Sequence, residues 1–422
     1  MSAFLSNTSE LLRITSGNLP IIQWALLLAL AASVGHLIQR YLGLPKVMGY
    51  SLIGALAGLS GFTNATWPLQ GIGLFMVELG LSVVLFEAGG RLTLRWLRLN
   101  PMLLLQSLAE VIATFAAVWW LLDFWGIAPD LHVPLALLAV ATSPAVLMRV
   151  ASDIRSSGPV TERAVTLAAL NTLYVFAIGS GLARFIGQPY GAKTEMILPV
   201  VLLLAVSILF GSLLALALRA ALRFMSPSSE NTSVLMLALV AAGTTWCANF
   251  GGSAPLAALL AGSLLKSLHP RPWSWSRQFG TASSVLTILL FVLVSMAAAQ
   301  VKWEQSAWQL IATLVLVRAG AKILGIGLGG LGSGASFTQS LWTATAMWPM
   351  SAVALLLLSQ FVLFKPELGM ALAAIALPLI LCMELLGALV TTVALQRAGE
   401  SHLYAPVVQR LAGKKSEATD GA

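Results

Sequence analysis

The chain has 422 residues, of which 58% are hydrophobic and only 9% charged, and its mean hydropathy is +0.88. Soluble domains carry about 25% charged residues, so the composition excludes a water-solvated globule and makes the bilayer the solvent. The net charge of +8 does not point to nucleic acid, because the Lys and Arg lie in short loops between apolar runs, where membrane topology places them.

A membrane-spanning helix needs about 20 apolar residues. In chain order, spans are expected near 20–39, 46–60, 71–90, 101–125, 133–151, 160–187, 195–222, 232–250, 252–267, 280–300, 306–330, 336–362 and 367–396. The expected fold is an all-α polytopic membrane protein of about 13 transmembrane helices. Residues 1–397 form the membrane domain, and 398–422 a short polar tail too small for a nucleotide-binding domain. The Gly/Ser-rich stretch 327–336 reads as a flexible turn.

Alternate loops carry the basic residues. One side would hold Arg40, Lys46, Arg91, Arg95, Arg98, Arg149, Arg155, Arg163, Arg219, Arg223, Lys266, Arg271, Arg277 and the tail; the other holds only Arg13, Arg184, Lys193, Lys302 and Lys365. Under the positive-inside rule this gives an N-out, C-in multi-pass protein of the bacterial inner membrane with an odd number of spans. The N-terminus has no basic segment followed by a small-residue cleavage site, so no cleaved signal peptide is expected.

Enzyme signatures are missing. Cys247 and Cys382 each sit inside an apolar run and read as small buried hydrophobes. The four histidines (His36, His132, His269, His402) are far apart. There is no HExxH, nucleophile elbow, phosphate-binding loop or dinucleotide fingerprint, and no metal or cofactor is expected. Ser143 and Ser351 are conceivable nucleophiles, yet only His36 among in-span histidines is available as a base.

Two spans are interrupted in corresponding places. Span five contains Ala141-Thr142-Ser143-Pro144 and span twelve Trp348-Pro349-Met350-Ser351. Proline in a helix interior removes a backbone hydrogen bond and clashes with the preceding turn. The freed carbonyls and half-helix ends then become available to ions, and matched interruptions mark inverted-repeat transporters. Seven spans separate the two, so they run in opposite directions across a repeat of spans one to six against eight to thirteen. Thr142, Ser143 and Ser351 are candidate oxygen ligands beside the helix-breaking Pro144 and Pro349, whereas Pro255 and Pro378 read as ordinary membrane-helix prolines.

Ionisable groups at membrane depth are costly and mark function. Arg318 and Lys322 lie one turn apart on one face of span eleven. Glu78, Glu110 and Glu384 lie in spans three, four and thirteen, with Glu87 nearer the cytoplasmic end of span three and Asp123 towards the outer end of span four. Lys322 reads either as half of a structural ion pair or as a cation that competes with the transported one; Arg318, which keeps its charge, reads as structural. Sequence alone does not say which acid meets which base.

These features resemble the monovalent cation–proton antiporter superfamily over about residues 20–395. The resemblance rests on Leu44-Pro45-Lys46-Val47-Met48-Gly49 through Gly54, on Val84-Leu85-Phe86-Glu87-Ala88-Gly89-Gly90-Arg91 with Arg95 and Arg98, on Ala141-Thr142-Ser143-Pro144, and on Lys322-Ile323-Leu324-Gly325 with Gly329. It implies a bacterial sodium/proton exchanger-like fold and exchange of sodium or potassium for protons. It also implies a homodimer, and a moving core of spans four to six and eleven to thirteen.

The chain departs from the family where the ion is carried. The family's span-six Asn-Asp or Asp-Asp pair is here Asn171-Thr172, and the aspartate of the span-five Ala-Thr-Asp-Pro motif is Ser143. In span twelve the family's arginine element is Pro349-Met350-Ser351. With the family's carboxylates absent from those motifs of spans five and six, a buried Lys322 must lose its proton, find Glu384 or another acid, or bind an anion. Three readings stay open: proton carriage by Lys322 or a glutamate, uncoupled or anion transport on the same fold, and a non-transporting structural or sensory relative.

Overall fold

A computed structural model describes residues 22–61, 67–92, 98–187, 197–226, 229–268, 277–300 and 307–401. Arg13, Arg95, Lys193, Arg271, Lys302 and nearly all of the polar tail lie outside the described residues. Those described are helices and short connections. We label them by span: α1 (Ile22–Leu42), α2 (Lys46–Ser60), α3 (Gly71–Arg91), α4 (Pro101–Phe124), α5 (Pro129–Asp153), α6 (Pro159–Ile186) and α7 (Ile197–Phe224). There follow α8 (Glu230–Asn249), α9 (Ala254–Leu268), α10 (Arg277–Ala299), α11 (Ala307–Gly330), α12 in two halves (Phe337–Ala346 and Ala352–Phe364) and α13 (Pro366–Arg397).

Length and apolarity alone single out ten of the helices among the described residues as long enough to cross a membrane. The other expected positions hold the short helices α2 and α9 and the broken α12. Apolar runs become helices here because hydrocarbon offers no partner to backbone N–H and C=O groups, so the segment must satisfy its own. Proline marks the starts: Pro101, Pro129, Pro144, Pro159 and Pro366 each occupy a first-turn position, where the missing N–H costs nothing. The Gly/Ser-rich stretch after Gly327 differs from expectation. Helix α11 continues through Gly330 and the turn begins at Leu331, because Gly329 and Gly330 pack against Gln106 of α4.

The packing repeats with a shift of seven spans. The most extensive helix contacts are α4 with α11, α3 with α9, and α2 with α10. Moving each helix on by seven places maps the first pair onto itself and exchanges the other two, as an inverted repeat requires. The contacts of α4 with the first half of α5 and of α11 with the first half of α12 correspond in the same way. Among the long spans, α5 and α6 are the most enclosed, while α1 and α7 are the most exposed.

Polar contacts also respect the two membrane faces. On the face of the basic loops, Asp153 accepts from the Lys46 backbone N–H at 2.9 Å and Arg163 donates to the Ser333 carbonyl at 2.7 Å. There too, Glu400 accepts from the Thr161 backbone at 2.8 Å. On the other face, the Trp67 backbone donates to Gln300 at 2.7 Å and Arg184 lies over the Phe364 ring.

The α4–α11 contact is close because of glycine. A Cβ at Gly325 would stand 2.5 Å from Glu110 Cα, and one at Gly329 would stand 2.6 Å from Gln106 Cα. Both obstacles are backbone, so neither can yield without separating the helices. Gly325→Ala should therefore destabilise the protein by about 1–3 kcal/mol, the usual cost of overpacking. Gly320→Ala, on the same helix with nothing within 4 Å of its Cβ position, should be neutral or slightly stabilising. Thermal unfolding of both variants in detergent measures the difference.

Candidate ion-binding site

The site begins with the two interruptions. In α5 the helix ends at Val140 and restarts at Pro144, with Ala141 and Ser143 in extended conformations, as the residue before a proline prefers. In α12 the helix ends at Ala346 and restarts at Ala352. The breaks touch directly: the Ser143 N–H donates to the Pro349 carbonyl at 2.9 Å.

Each break leaves carbonyls at the negative end of a half-helix. Arg318 gathers them. Its Nε donates to Ala139 O at 2.6 Å, and its two terminal nitrogens donate to Ala141 O at 2.7 Å and Trp348 O at 2.6 Å. Arg318 is fully buried, and its guanidinium satisfies both interrupted chains at once.

One turn further along α11, Lys322 is equally buried. Its ammonium forms an ion pair with Glu110 Oε1, donates to Thr142 Oγ1 at 2.9 Å and lies 3.3 Å from Val140 O. Glu110 is held on both oxygens, since Oε1 also accepts from Thr114 at 3.1 Å and Oε2 accepts from Asn171 Nδ2 at 2.7 Å. Asn171 Oδ1 is buried with no partner. The resulting cluster joins α4, α5, α6 and α11 around one positive and one negative charge, and a π-helical turn follows it in α6 over Val175–Gly179.

The predicted site residues separate into groups. Thr142, Asn171 and Lys322 meet, and Arg318 lies beside them. Thr172 does not join: its hydroxyl donates to Ala168 O of its own helix at 2.9 Å. Ser143 caps the second half of α5, accepting from Val146 N at 3.4 Å. Glu384 is not the acid that pairs with Lys322, because it accepts from Ser51 at 2.8 Å at the α2–α13 contact. Ser351 lies against that same carboxyl. Glu78 is half-buried on α3, which packs on α8, α9 and α10.

The acid that balances Lys322 is Glu110. The signal for it was its depth: Glu110 and Lys322 both sit near the middle of spans that the repeat pairs across its axis. With Glu110 in place and Arg318 spent on three carbonyls, neither cation is left to attract an anion. On the face of the basic loops, a cavity of about 750 Å³ opens between α1, α2 and the second half of α5, lined by His36, Arg40, Lys46, Arg149 and Asp153. A smaller cavity of about 200 Å³ beside it includes Glu87, Arg91 and Ser283.

Two interrupted helices crossing beside a buried ion pair, in an inverted repeat, define a secondary transporter of the membrane. Residues 26–397 match the family described as sodium/hydrogen exchanger, transmembrane, and the chain belongs to that family. Among solved structures, the sodium proton antiporter MjNhaP1 from Methanocaldococcus jannaschii at pH 8 superposes with a TM-score of 0.66 at 17% identity, over 92% of this chain and 97% of that one. An electron-microscopy map of the same antiporter gives 0.64 at 18% identity, over 92% and 96%. At these identities the likeness is one of fold. None of the curated proteins is significantly similar to this chain.

Removing one member of a buried ion pair strands the other, at a cost of about 3–5 kcal/mol, whereas replacing both by apolar groups is often neutral. Glu110→Gln should accordingly lower the melting temperature sharply, and the double variant Glu110→Leu/Lys322→Met should recover it. Equal melting of the single and double variants would show that the pair is not coupled.

Proposed function

We propose that the chain exchanges sodium or potassium for protons, with the Lys322–Glu110 pair in place of the missing span-six aspartate. One observation carries this reading: the Lys322 ammonium is held by Glu110 Oε1, Thr142 Oγ1 and Val140 O. These are hard oxygen donors of the kind that also bind a small cation. Lysine, unlike arginine, can give up its proton in a cycle. When Lys322 does so, the oxygens are free to hold a monovalent cation, and Asn171 Oδ1 stands ready as a further ligand.

Charge supports one-for-one exchange. A proton leaves as one cation arrives, so the buried cluster carries the same charge in both states and no additional desolvated charge is created. Arg318 meanwhile keeps the two breaks satisfied. The proton and the cation compete, so the apparent KM for the cation should rise as pH falls.

Proteoliposomes with an entrapped pH dye test the reading. Addition of sodium or potassium to the wild type should move protons, and Lys322→Arg, which keeps the charge but cannot release it, should abolish that movement. Wild-type exchange by Lys322→Arg would take Lys322 out of the mechanism.

We further propose that the basic face is cytoplasmic, as the positive-inside rule requires. A fluorescent protein fused at the C-terminus should then fluoresce, and an alkaline phosphatase fused there should be inactive. The reverse pattern would invert the topology.

A further inference from the structure

Among the described residues, four acidic or basic side chains are wholly enclosed: Glu110, Arg318, Lys322 and Glu384. The first three are accounted for by the cluster at the crossing. Glu384 is not, and it sits in a separate nest of hydroxyls. Its Oε1 accepts from Ser51 Oγ at 2.8 Å, and the hydroxyls of Ser295 and Ser351 lie against the same carboxyl. All three serines are fully buried. Glu384 Oε2, Ser295 Oγ and Ser351 Oγ crowd together here, and none of the three makes a well-formed hydrogen bond.

Three buried oxygens gathered in one place without well-formed hydrogen bonds are unusual, because a buried polar atom gives up its bonds to water and needs replacements. We propose that Glu384, Ser51, Ser295 and Ser351 form a second binding site for a monovalent cation, distinct from the cluster at Lys322. The four side chains offer hard oxygen donors only, the set that Na⁺, Li⁺ or K⁺ prefers over softer metals. A single carboxylate supplies one negative charge, which a monovalent ion neutralises and a divalent ion would exceed. Among the described residues no lysine or arginine occupies the place of that ion: Lys322 is paired with Glu110, and Arg318 is spent on Ala139, Ala141 and Trp348.

The position gives the ion a second consequence. Ser51 and Ser295 come from α2 and α10, whereas Ser351 and Glu384 come from the second break and α13. A cation held by all four bridges the helices that carry the crossing to those that do not, and clamps the two against relative movement.

A ligand that binds only the folded state raises its stability, so thermal unfolding of the full-length protein in detergent reads the site directly. Sodium, lithium and potassium chloride are compared with choline chloride at equal ionic strength. The background is the Glu110→Leu/Lys322→Met double variant, which lacks the first cluster and keeps this test separate from the exchange reading. A cation-dependent rise in Tm that survives in that background and is lost on adding Glu384→Gln is the expected result. Ser295→Ala with Ser351→Ala, which remove hydroxyls but no charge, should weaken the same rise. If no cation lifts the Tm of the double variant, or if the rise is undiminished by Glu384→Gln or by the serine pair, the second site does not exist.

Discussion

Everything at the centre of this protein depends on hydrogen-bond donors for carbonyls that two broken helices can no longer satisfy themselves. Hydrocarbon supplies none, and each orphan there costs several kcal/mol. Arg318 solves the problem for both breaks with one planar fork, reaching Ala139 and Ala141 on α5 and Trp348 on α12. The negative ends of both half-helices meet the same guanidinium, which suits cations at helix C-termini. A lysine at position 318 would have neither the span nor the permanent charge to do this.

That arrangement leaves Lys322 a different task. It sits one turn away, where a titratable cation meets one backbone carbonyl, one hydroxyl and one carboxylate. Glu110 reaches it because Gly325 and Gly329 let α11 lie directly on the backbone of α4. The acid that balances Lys322 comes from span four, and the site holds a paired acid and base. A chain that had lost all acids near Lys322 would have carried an unbalanced positive site; this one does not.

How much of this could be read from residues alone varies with the kind of interaction. The spans, the breaks at Pro144 and Pro349 and the depth of Arg318 and Lys322 follow from local rules: apolar length, the missing proline N–H and the cost of buried charge. The partner of Lys322 does not, because helix periodicity fixes which face a residue occupies but not which helix lies opposite. Glu384 and Glu110 were equally deep, and only the packing order separates them. Thr172 shows the complementary limit. Its place in the family motif pointed to the site, but a hydroxyl in a helix can bond the carbonyl four residues back, and here it does. The Gly/Ser-rich stretch 327–336 reads as a flexible turn, but contact of Gly329 and Gly330 with α4 keeps the helix going through Gly330.

The same packing indicates where the fold can move. Within each half of the molecule, helices meet through glycine at backbone distance: α4 on α11, α3 on α9 and α2 on α10. Contacts of that kind have a single fitted arrangement and resist sliding. Between α4–α6 with α11–α13 and the remaining helices, the contacts are sparser, and many are polar. Asp153 meets Lys46, Arg149 donates to Tyr50 at 3.1 Å, and Ser51 meets Glu384. Polar side chains can exchange one partner for another at little cost, whereas interlocked backbones cannot. The boundary carrying those exchangeable contacts also carries the cavities on the basic face. A shift along it would leave the Arg318 clasp and the Lys322–Glu110 pair intact while changing which face of the membrane they are open to. That is the division of rigid and mobile parts an alternating-access transporter needs.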